Sequence, residues 1–344
     1  MLTHSLILHM LFTLFTLYLI FEQTSESLDK DMGTVESRQS LSQPISALTK
    51  SKAAYKEPWR KTPWGGREEL LTGLKAYVPR NADIEHVRIL LDGPVGAGKS
   101  SFINSINNIF QNKTTSKALA DSAMADQSFT ITYKTHKIEN RQTGLYYPFV
   151  FNDVMGFEKA SGKGVHGDDL SKALTGHVKE NHKFNPISPL TEGDRGYNDN
   201  PSSSDRAHCL VSLMPADKIS LIDDDVVKKM RTIRLVARDL GIPQVVILTR
   251  VDLACPLVKK NLKEVYQSKY IKNMMKTCSI RLGVPVNCIL PVKNYHEEID
   301  LDKDMDVLLL RALKQIIDFG DDFLKEMAVP VLTITSVCTM SVTV

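Results

Sequence analysis

The feature that most constrains the fold of this chain is the run Gly93-Pro-Val-Gly-Ala-Gly-Lys-Ser100, which has the spacing G-x-x-x-x-G-K-[ST]. It follows the compact apolar run Val87–Leu91, the pattern of a strand buried on both faces. It leads into Lys99–Phe110, whose apolar residues recur at helical spacing. Glycines in such a loop let backbone N–H groups curl around a phosphate, and the helix N-terminus adds its dipole. The sequence therefore predicts a phosphate-binding loop between a strand and a helix.

Side chains in the same loop add specific contacts. Lys99 supplies a cation to the β- and γ-phosphates of a nucleotide, and the Ser100 hydroxyl can coordinate Mg²⁺. A glycine-rich turn that matches by chance is the alternative, and the strand–loop–helix context favours a phosphate site. The predicted nucleotide contacts in this run are Gly93, Val95, Gly96, Ala97, Gly98, Lys99, Ser100 and Ser101.

Strand and helix patterns alternate along most of the chain. Beyond the first strand, an exposed edge strand is predicted at Ser128–Ile138, and further strands at Pro148–Asp153, Cys209–Met214, Gln244–Thr249 and Val286–Val292. The predicted helices are Arg67–Tyr77, Lys99–Phe110, Asp223–Leu240, Leu257–Leu282 and Asp304–Phe323. This alternation predicts an α/β fold in which a mostly parallel sheet carries helices on both faces.

A base-reading motif is predicted at Thr249-Arg250-Val-Asp252, at the carboxyl end of a buried strand. Ligands bind at that edge of open α/β sheets. The Asp252 carboxylate can accept hydrogen bonds from N1 and the exocyclic N2 of guanine, whereas adenine has no matching donors. T-x-x-D also occurs as a helix cap. The position of this motif after a phosphate loop and a strand favours a guanine-binding role over a cap. It therefore predicts a P-loop GTPase-like domain.

Two further strand ends carry candidate contacts. Asp153-Val-Met-Gly156 has the spacing D-x-x-G, in which the aspartate can hold Mg²⁺ through water and the glycine N–H can meet a γ-phosphate. A plain β-turn is the alternative. Lys293 follows the last predicted strand and can stack on the guanine base. An exposed charged turn is an equal alternative. The predicted metal ligands are Ser100 and Asp153, and the predicted ligands are GTP or GDP with Mg²⁺.

The side chain that commonly orients the attacking water is missing. Phe157 follows D-x-x-G where many small GTPases have Gln, and Phe cannot polarise water. Val95 stands where small GTPases often have Gly, and its side chain can crowd an arginine finger. Hydrolysis is therefore expected to be slow, to depend on self-association or to be absent. The catalytic residues stay unassigned, with Thr130 and Thr132 as candidates for a switch threonine on spacing.

Composition limits the partners and the compartment. The formal net charge of +3 is too small to predict the basic face that a nucleic-acid partner needs. The five cysteines are widely spaced without a C-x-x-C pair, which is typical of reduced thiols in the cytoplasm. Residues 1–21 contain no Asp, Glu, Lys or Arg, and a membrane or secretory role rests on them alone.

Two regions are predicted ahead of the nucleotide-binding domain. Residues 1–27 form a hydrophobic segment that has three open interpretations: a secretory signal, a membrane anchor or a gene-model extension. Residues 28–84 form a polar linker that ends in a short helix. Trp59 and Trp64, the two tryptophans of the chain, are expected to dock this linker onto the domain as apolar anchors.

The nucleotide-binding domain is predicted at residues 85–327, followed by a disordered tail at 328–344. The domain carries a long insert at 159–206 that is rich in Gly, Asn, Pro, His and Ser, with a helical candidate at Asp168–His177. So long a stretch without regular structure is unusual inside a compact domain. The insert is therefore expected to be mobile or functional.

Several of these runs resemble the interferon-induced protein 44 family: RILLDGPVGAGKSSFINSINNIF, NDVMGFE, FNPISPL, GYNDNP, AHCLV, GIPQVVILTRVDLACPLV, ILPVKNY, DDFL and EPWRKTPW. The resemblance covers roughly Glu57–Lys325. It implies a cytoplasmic, interferon-induced protein of innate and antiviral responses with a GTP-binding domain. Thr249 stands where G domains most often have Asn, and Arg250 where many have Lys; the Arg stem can pack over the base in the same way.

Two functions follow from these residues together with the resemblance. The first is an immune guanine-nucleotide-binding protein that uses Lys99, Ser100 and Asp252 and hydrolyses GTP slowly or with a partner. The second is a non-hydrolysing scaffold that nucleotide stabilises, whose insert docks an unidentified protein or a second copy of the chain. An ATP-dependent enzyme is a third possibility, and the TRVD run counts against it.

Overall fold

A computed structural model describes residues 53–115, 132–154, 156–158, 165–185 and 187–328 of the chain. The hydrophobic segment 1–27 and, apart from Ala328, the tail 328–344 lie outside the described residues, so the predictions made for them stay open. In the described ranges, no helix has both the length and the apolar character that a membrane span requires.

Within the described ranges, six strands form one sheet, in the order β2-β3-β1-β4-β5-β6. The strands are β1 Val87–Asp92, β2 Lys134–Asn140, β3 Leu145–Asp153, β4 Cys209–Pro215, β5 Gln244–Thr249 and β6 Ile289–Pro291. Strand β2 lies at the edge and pairs antiparallel with β3, and every other pairing is parallel. The α/β fold with a mostly parallel sheet is therefore confirmed, and the alternating pattern of β2 fits its place at the edge.

Helices cover the sheet in two packed groups. The helices are α1 Arg67–Lys75, α2 Lys99–Gln111, α3 Gly167–Thr175, α4 Asp224–Asp239, α5 Val251–Ala254, α6 Pro256–Lys260, α7 Lys269–Leu282 and α8 Lys303–Ala328. Helix α8 packs against α1 and α2, whereas α4 packs against α3 and α7. Every residue of β4 is buried, because the centre of a parallel sheet is covered on both faces.

A predicted helix and a predicted strand differ clearly in extent from the structure. The continuous helix predicted at Leu257–Leu282 is broken, because the side chain of Asn261 accepts a hydrogen bond from the N–H of Lys263, and that of buried Ser268 accepts one from the N–H of Ile271. Such capping side chains start new helical segments in a sequence whose apolar periodicity runs on. The strand predicted at Val286–Val292 begins instead as a 3-10 turn, and only Ile289–Pro291 joins the sheet.

The insert has more regular structure than its composition suggests. Helix α3 lies within it, and a 3-10 turn follows at Ser203–Asp205. The Asp169 carboxylate accepts a hydrogen bond from the N–H of Leu190 at 2.7 Å, which ties the helix to a distant part of the insert. Apolar side chains of the insert join the core, namely those of Val165, Leu170, Ala173, Leu174, Val178, Phe184, Leu190 and Tyr197. The described part of the insert is therefore packed against the domain.

The segment ahead of α1 is attached to the domain by aromatic and hydrogen-bond contacts. The Trp59 ring meets the Tyr266 ring edge-on, with 5.1 Å between the centroids. The Arg60 guanidinium lies over both rings and donates to the carbonyl oxygens of Val286 and Ile289 at 2.9 Å each. These contacts hold the segment against the turn that leads into β6.

A neutral histidine joins β1 to the strand that follows it in the sheet. His208 is fully buried. Its Nδ1 accepts a hydrogen bond from the Arg88 N–H at 2.9 Å, and its Nε2 lies 2.9 Å from the Ser203 carbonyl oxygen. The acceptor role of Nδ1 requires the neutral ring with its proton on Nε2. Burial lowers the pKa of His208 to about 4, and the Arg88 charge acts in the same direction.

We expect the free energy of unfolding to fall as the pH falls from about 6.5 to about 4. In this window His208 takes up a proton in the unfolded chain and stays neutral in the folded chain, so acid favours unfolding. The variant His208→Asn keeps an acceptor for Arg88 without a titrating ring, and it should show a shallower pH dependence. Urea unfolding at several pH values between 4 and 7 measures the slope. An equal slope in both proteins would contradict the assignment.

Candidate nucleotide-binding site

The phosphate loop lies between the end of β1 and the start of α2, as the motif predicted. Gly93 has φ 143°, and a Cβ there would lie 2.4 Å from the Leu213 carbonyl oxygen on β4, so only glycine fits. Gly98 has φ 91° and precedes α2 without a side-chain cap. The N–H groups of the first turn, including those of Ser100 and Ser101, are therefore available to an anion.

The ammonium group of Lys99 is held inside the loop. Its Nζ lies 3.4 Å from the Gly93 carbonyl oxygen and 3.5 Å from that of Pro94, and the side chain is buried. Burial lowers the pKa of Lys99, while the carboxylates of Asp153 and Asp92 act to raise it. The Lys99 charge therefore sits next to the backbone that would cradle a phosphate.

Asp92 is a site residue that the sequence analysis missed. It is the last residue of β1, is fully buried and lies opposite Ser212 of β4. Burial raises the pKa of Asp92 to about 6, and the Lys99 charge opposes that shift. The signal was available in the sequence, because a charged residue ends an apolar strand directly before the glycine of the loop.

The two predicted metal ligands meet. The Ser100 hydroxyl donates to Oδ2 of Asp153 at 2.6 Å. The other carboxylate oxygen, Oδ1, is buried and has no hydrogen-bond partner in the part of the chain that the structure describes. Hydroxyl and carboxylate oxygens are the donors that Mg²⁺ prefers, so these residues fit the predicted ion.

The D-x-x-G segment is bridged to the phosphate loop by its backbone. The Phe157 N–H donates to the Gly93 carbonyl oxygen at 3.0 Å, and the Val95 N–H donates to the Phe157 carbonyl oxygen at 3.3 Å. A Cβ on Gly156 would lie 2.7 Å from the Val95 nitrogen, so glycine permits this close approach. The Phe157 ring is buried in the hydrophobic core, whereas the Val95 side chain is 42% exposed.

The base motif is tied to the same loop from the other side. The Thr249 hydroxyl donates to the Ala97 carbonyl oxygen at 2.7 Å. Asp252 lies in α5 and is half-buried. Arg250 has the left-handed φ of 60° and pairs with Asp217 at 3.0 Å, a partner that the sequence did not suggest. The side chain predicted to pack over the base is thus anchored to the loop after β4.

Lys293 lies near Asp252 and is already paired. Its Nζ is 2.6 Å from Oε1 of Glu298. Burial lowers the pKa of Lys293, but the hydrogen bond with Glu298 and the Asp252 charge outweigh burial, and the pKa is raised. Burial raises the pKa of Glu298 as well, and the hydrogen bond from Lys293 outweighs it, so that this pKa falls to about 2.

The predicted contacts of the phosphate, the metal and the base therefore converge at the carboxyl edge of the sheet. Their roles as ligands remain predictions. Thr130 lies outside the described residues, and Thr132 forms an isolated antiparallel bridge with Lys183. Besides Asp92 and Asp217, the sequence analysis missed Asn294, whose amide nitrogen donates to the Gly98 carbonyl oxygen at 3.1 Å.

Comparison with known proteins gives the family. The chain is 33% identical over 261 residues to interferon-induced protein 44 of Pan troglodytes and of Homo sapiens, and 31% identical over 261 residues to interferon-induced protein 44-like of Homo sapiens. The match covers 76% of this chain in each case. This chain belongs to the interferon-induced protein 44 family. It spans 58% of the length of the two interferon-induced protein 44 relatives and 57% of the 44-like protein. No protein-family model matches it.

Solved structures of other proteins resemble the chain more distantly. Toc33 from Arabidopsis thaliana, solved with GDP and Mg²⁺, aligns with a TM-score of 0.42 at 15% identity and covers 75% of this chain and 96% of its own. Elongation factor SelB from Methanococcus maripaludis, solved with a GTP analogue, aligns with a TM-score of 0.33 at 12% identity, covering 70% of this chain and 34% of its own. The fold described above rests on the strand order and the phosphate loop.

We expect Phe157→Gln to lower the free energy of unfolding by about 3 kcal/mol, because an amide would replace a ring that fills the core. The variant Phe157→Leu keeps the site apolar and should cost only about 1 kcal/mol. Denaturant titration of the two variants measures the difference. Equal stability of the glutamine variant and the native chain would show that the ring is not buried in solution.

Proposed function

We propose that this chain is a guanine-nucleotide-binding protein of the interferon-induced, antiviral innate response and acts in the cytoplasm. The observation that carries the nucleotide part is the hydrogen bond from Thr249 to the Ala97 carbonyl oxygen. It joins the base motif to the phosphate loop, so that both can contact one nucleotide. The immune part is supported by the names of the relatives, which are interferon-induced proteins.

Guanine is the base that the site chemistry favours. The Asp252 carboxylate accepts from N1 and N2 of guanine and finds no such donors on adenine. A site that holds a charged acceptor for a donor on the substrate rejects a base that lacks the donor, because the carboxylate would be left without those partners. Ser100 and Asp153 would hold Mg²⁺, which when bound neutralises charge on the β- and γ-phosphates.

Hydrolysis by the isolated chain is proposed to be slow or dependent on a partner. Phe157 stands where many small GTPases have the water-orienting Gln, and its ring is buried in the core. Its backbone N–H and carbonyl are both bonded to the phosphate loop. The side chain of this residue therefore cannot orient a water molecule at the γ-phosphate.

A second candidate function is a scaffold that nucleotide stabilises without turnover. It is supported by the insert, which is packed against the domain core. The insert also presents the exposed apolar side chain of Ile187. In this case GDP and GTP would bind alike, and the insert would carry the surface for an unidentified protein partner. Turnover separates this function from the first.

We expect the full-length chain to bind GDP and GTP with Mg²⁺ and to ignore ATP. In Asp252→Asn, guanine affinity should fall about 100-fold, because two hydrogen bonds to a charged acceptor are lost. Affinity for xanthosine diphosphate should rise relative to GDP, since the new amide can donate to the carbonyl at C2 of xanthine. In Lys99→Ala, affinity for both guanine nucleotides should fall. Isothermal titration calorimetry measures each constant.

Exposed, ion-paired residues provide matched controls for these variants. Asp239→Asn and Lys314→Ala remove the same charges at the surface, where Asp239 pairs with Arg238 and Lys314 with Asp318. Both controls should bind GDP as the native chain does. Binding of GDP that is equal in Asp252→Asn and the native chain would overturn the guanine assignment.

We expect single-turnover GTP hydrolysis by the full-length chain at or below about 10⁻⁴ s⁻¹, under the intrinsic rate of a small GTPase that has its glutamine. The released phosphate is followed at several protein concentrations. A hydrolysis rate that rises with protein concentration supports stimulation by self-association. No detectable hydrolysis at any protein concentration favours the scaffold. A concentration-independent rate far above 10⁻³ s⁻¹ would contradict both.

A further inference from the structure

The solvent-facing side of α7 carries a row of lysines. Lys269, Lys272 and Lys276 are spaced three and four residues apart on this helix, so their side chains lie on the same side of it. Ile280 continues the row one turn further on and is 75% exposed. These four residues are called the α7 stripe below.

The stripe lies in a part of the chain that is rich in lysine and poor in carboxylates. From Leu253 to Lys276 there are six lysines and one acidic residue, Glu264, whose side chain is buried. Neither Lys272 nor Lys276 forms an ion pair with a carboxylate within the described ranges. A row of cations without carboxylate partners attracts an anionic surface.

Aromatic rings flank the start of the stripe. The Tyr55 N–H donates to the Gln267 carbonyl oxygen at 2.8 Å, which places this residue next to the start of α7. The Tyr55 ring centroid lies 4.6 Å from Nζ of Lys272 and 5.6 Å from Nζ of Lys269. Tyr270 is 48% exposed. The surface therefore combines cations with exposed aromatic and aliphatic side chains.

This combination fits a layer of lipid headgroups better than it fits a nucleic acid. Tyrosine rings and the stems of lysine side chains are favoured at the level of the headgroups, where the apolar part meets the acyl chains and the polar end meets water and phosphate. A single-stranded nucleic acid would need an open ring for base stacking, whereas ammonium groups already lie over Tyr55. The formal net charge of +3 is also too small for such a partner.

The chain enters the domain on this same face. Ala54 forms an isolated antiparallel bridge with Ser268, the residue that caps the start of α7. The part of the chain that precedes residue 53 is therefore joined to the domain beside the lysines. That part includes residues 1–21, which contain no Asp, Glu, Lys or Arg. From the sequence, a membrane role depended on this run alone, and the α7 stripe is a second and separate feature that favours it.

We propose that the α7 stripe, together with Tyr55 and Tyr270, docks this chain onto a membrane surface that contains anionic lipids. The lysine ammonium groups contact the charged headgroups, while Ile280 and the tyrosine rings enter the boundary with the acyl chains. Attraction of this kind falls off within a Debye length, so the attachment is reversible and sensitive to salt. The stripe shares no residue with the nucleotide site, and the proposal is therefore independent of guanine binding.

The test uses the full-length chain and sedimentation with two kinds of vesicle, phosphatidylcholine alone and phosphatidylcholine mixed with phosphatidylserine. The native chain should bind the mixed vesicles more tightly, and high salt should reduce the difference. A triple variant with Lys269→Gln, Lys272→Gln and Lys276→Gln should bind the mixed vesicles about 10- to 100-fold more weakly, because three cations near an anionic surface are lost. Its binding to phosphatidylcholine alone should equal that of the native chain.

A matched triple variant controls for net charge. Lys113→Gln, Lys183→Gln and Lys325→Gln remove the same charge from exposed lysines on other parts of the domain. This variant should bind the mixed vesicles as the native chain does. Ile280→Ser should weaken that binding about three- to tenfold, because less apolar surface is buried, and should leave its salt dependence unchanged.

Folding of each variant is checked by thermal unfolding. If the triple variant of the stripe is not folded, a double variant with Lys272→Gln and Lys276→Gln is measured in its place, because it keeps Lys269 at the first turn of α7. The double variant should still bind the mixed vesicles at least about tenfold more weakly than the native chain.

Three results would overturn the proposal. Equal binding of the native chain to both kinds of vesicle would assign any membrane attachment to the hydrophobic segment 1–27. Equal losses in the stripe variant and the matched variant would show an effect of net charge without a specific face. Absence of binding to either kind of vesicle would also exclude a lipid partner, and loss of single-stranded RNA binding in the stripe variant would then assign the face to nucleic acid.

Discussion

The parallel pairing of β3, β1, β4, β5 and β6 is the constraint on which the rest of the structure depends. Strands that run in the same direction end at the same edge of the sheet, so the loops that follow them meet there. The phosphate loop follows β1, Asp153 ends β3, Thr249 ends β5 and Lys293 follows β6. None of these motifs positions a nucleotide alone. The register of the buried strands sets their spacing.

The phosphate loop is held from both sides by hydrogen bonds to its backbone. On the base side, Thr249 and Asn294 donate to two successive loop carbonyls. On the opposite side, Phe157 is bonded through both its N–H and its carbonyl. Because each contact uses a backbone group of the loop, the loop geometry depends on the ends of three other strands.

Much of the fold was predictable because strand burial and local motifs leave strong signals. Buried strands such as Gln244–Thr249 appear in the structure with the predicted bounds, and the glycine-rich motif lies where a strand passes into a helix. The broken helix has an identifiable cause. Apolar periodicity runs through Leu257–Leu282, but Asn261 and Ser268 cap new segments there, and a cap depends on backbone geometry that periodicity does not report. The insert looked irregular because its apolar residues find partners in distant elements.

The sequence by itself determined the chemistry that is available: a flexible glycine loop before a helix, a lysine for phosphate and a carboxylate that matches guanine. These follow from residue type and short spacing, which are local properties. Only the tertiary structure decided which side chains around the site already have hydrogen-bond or ion-pair partners. Arg250 is paired with Asp217, Lys293 with Glu298, and Thr249 with a carbonyl 152 residues away. Such contacts depend on the packing of the sheet and helices, because residues far apart in the chain become neighbours only when the core closes.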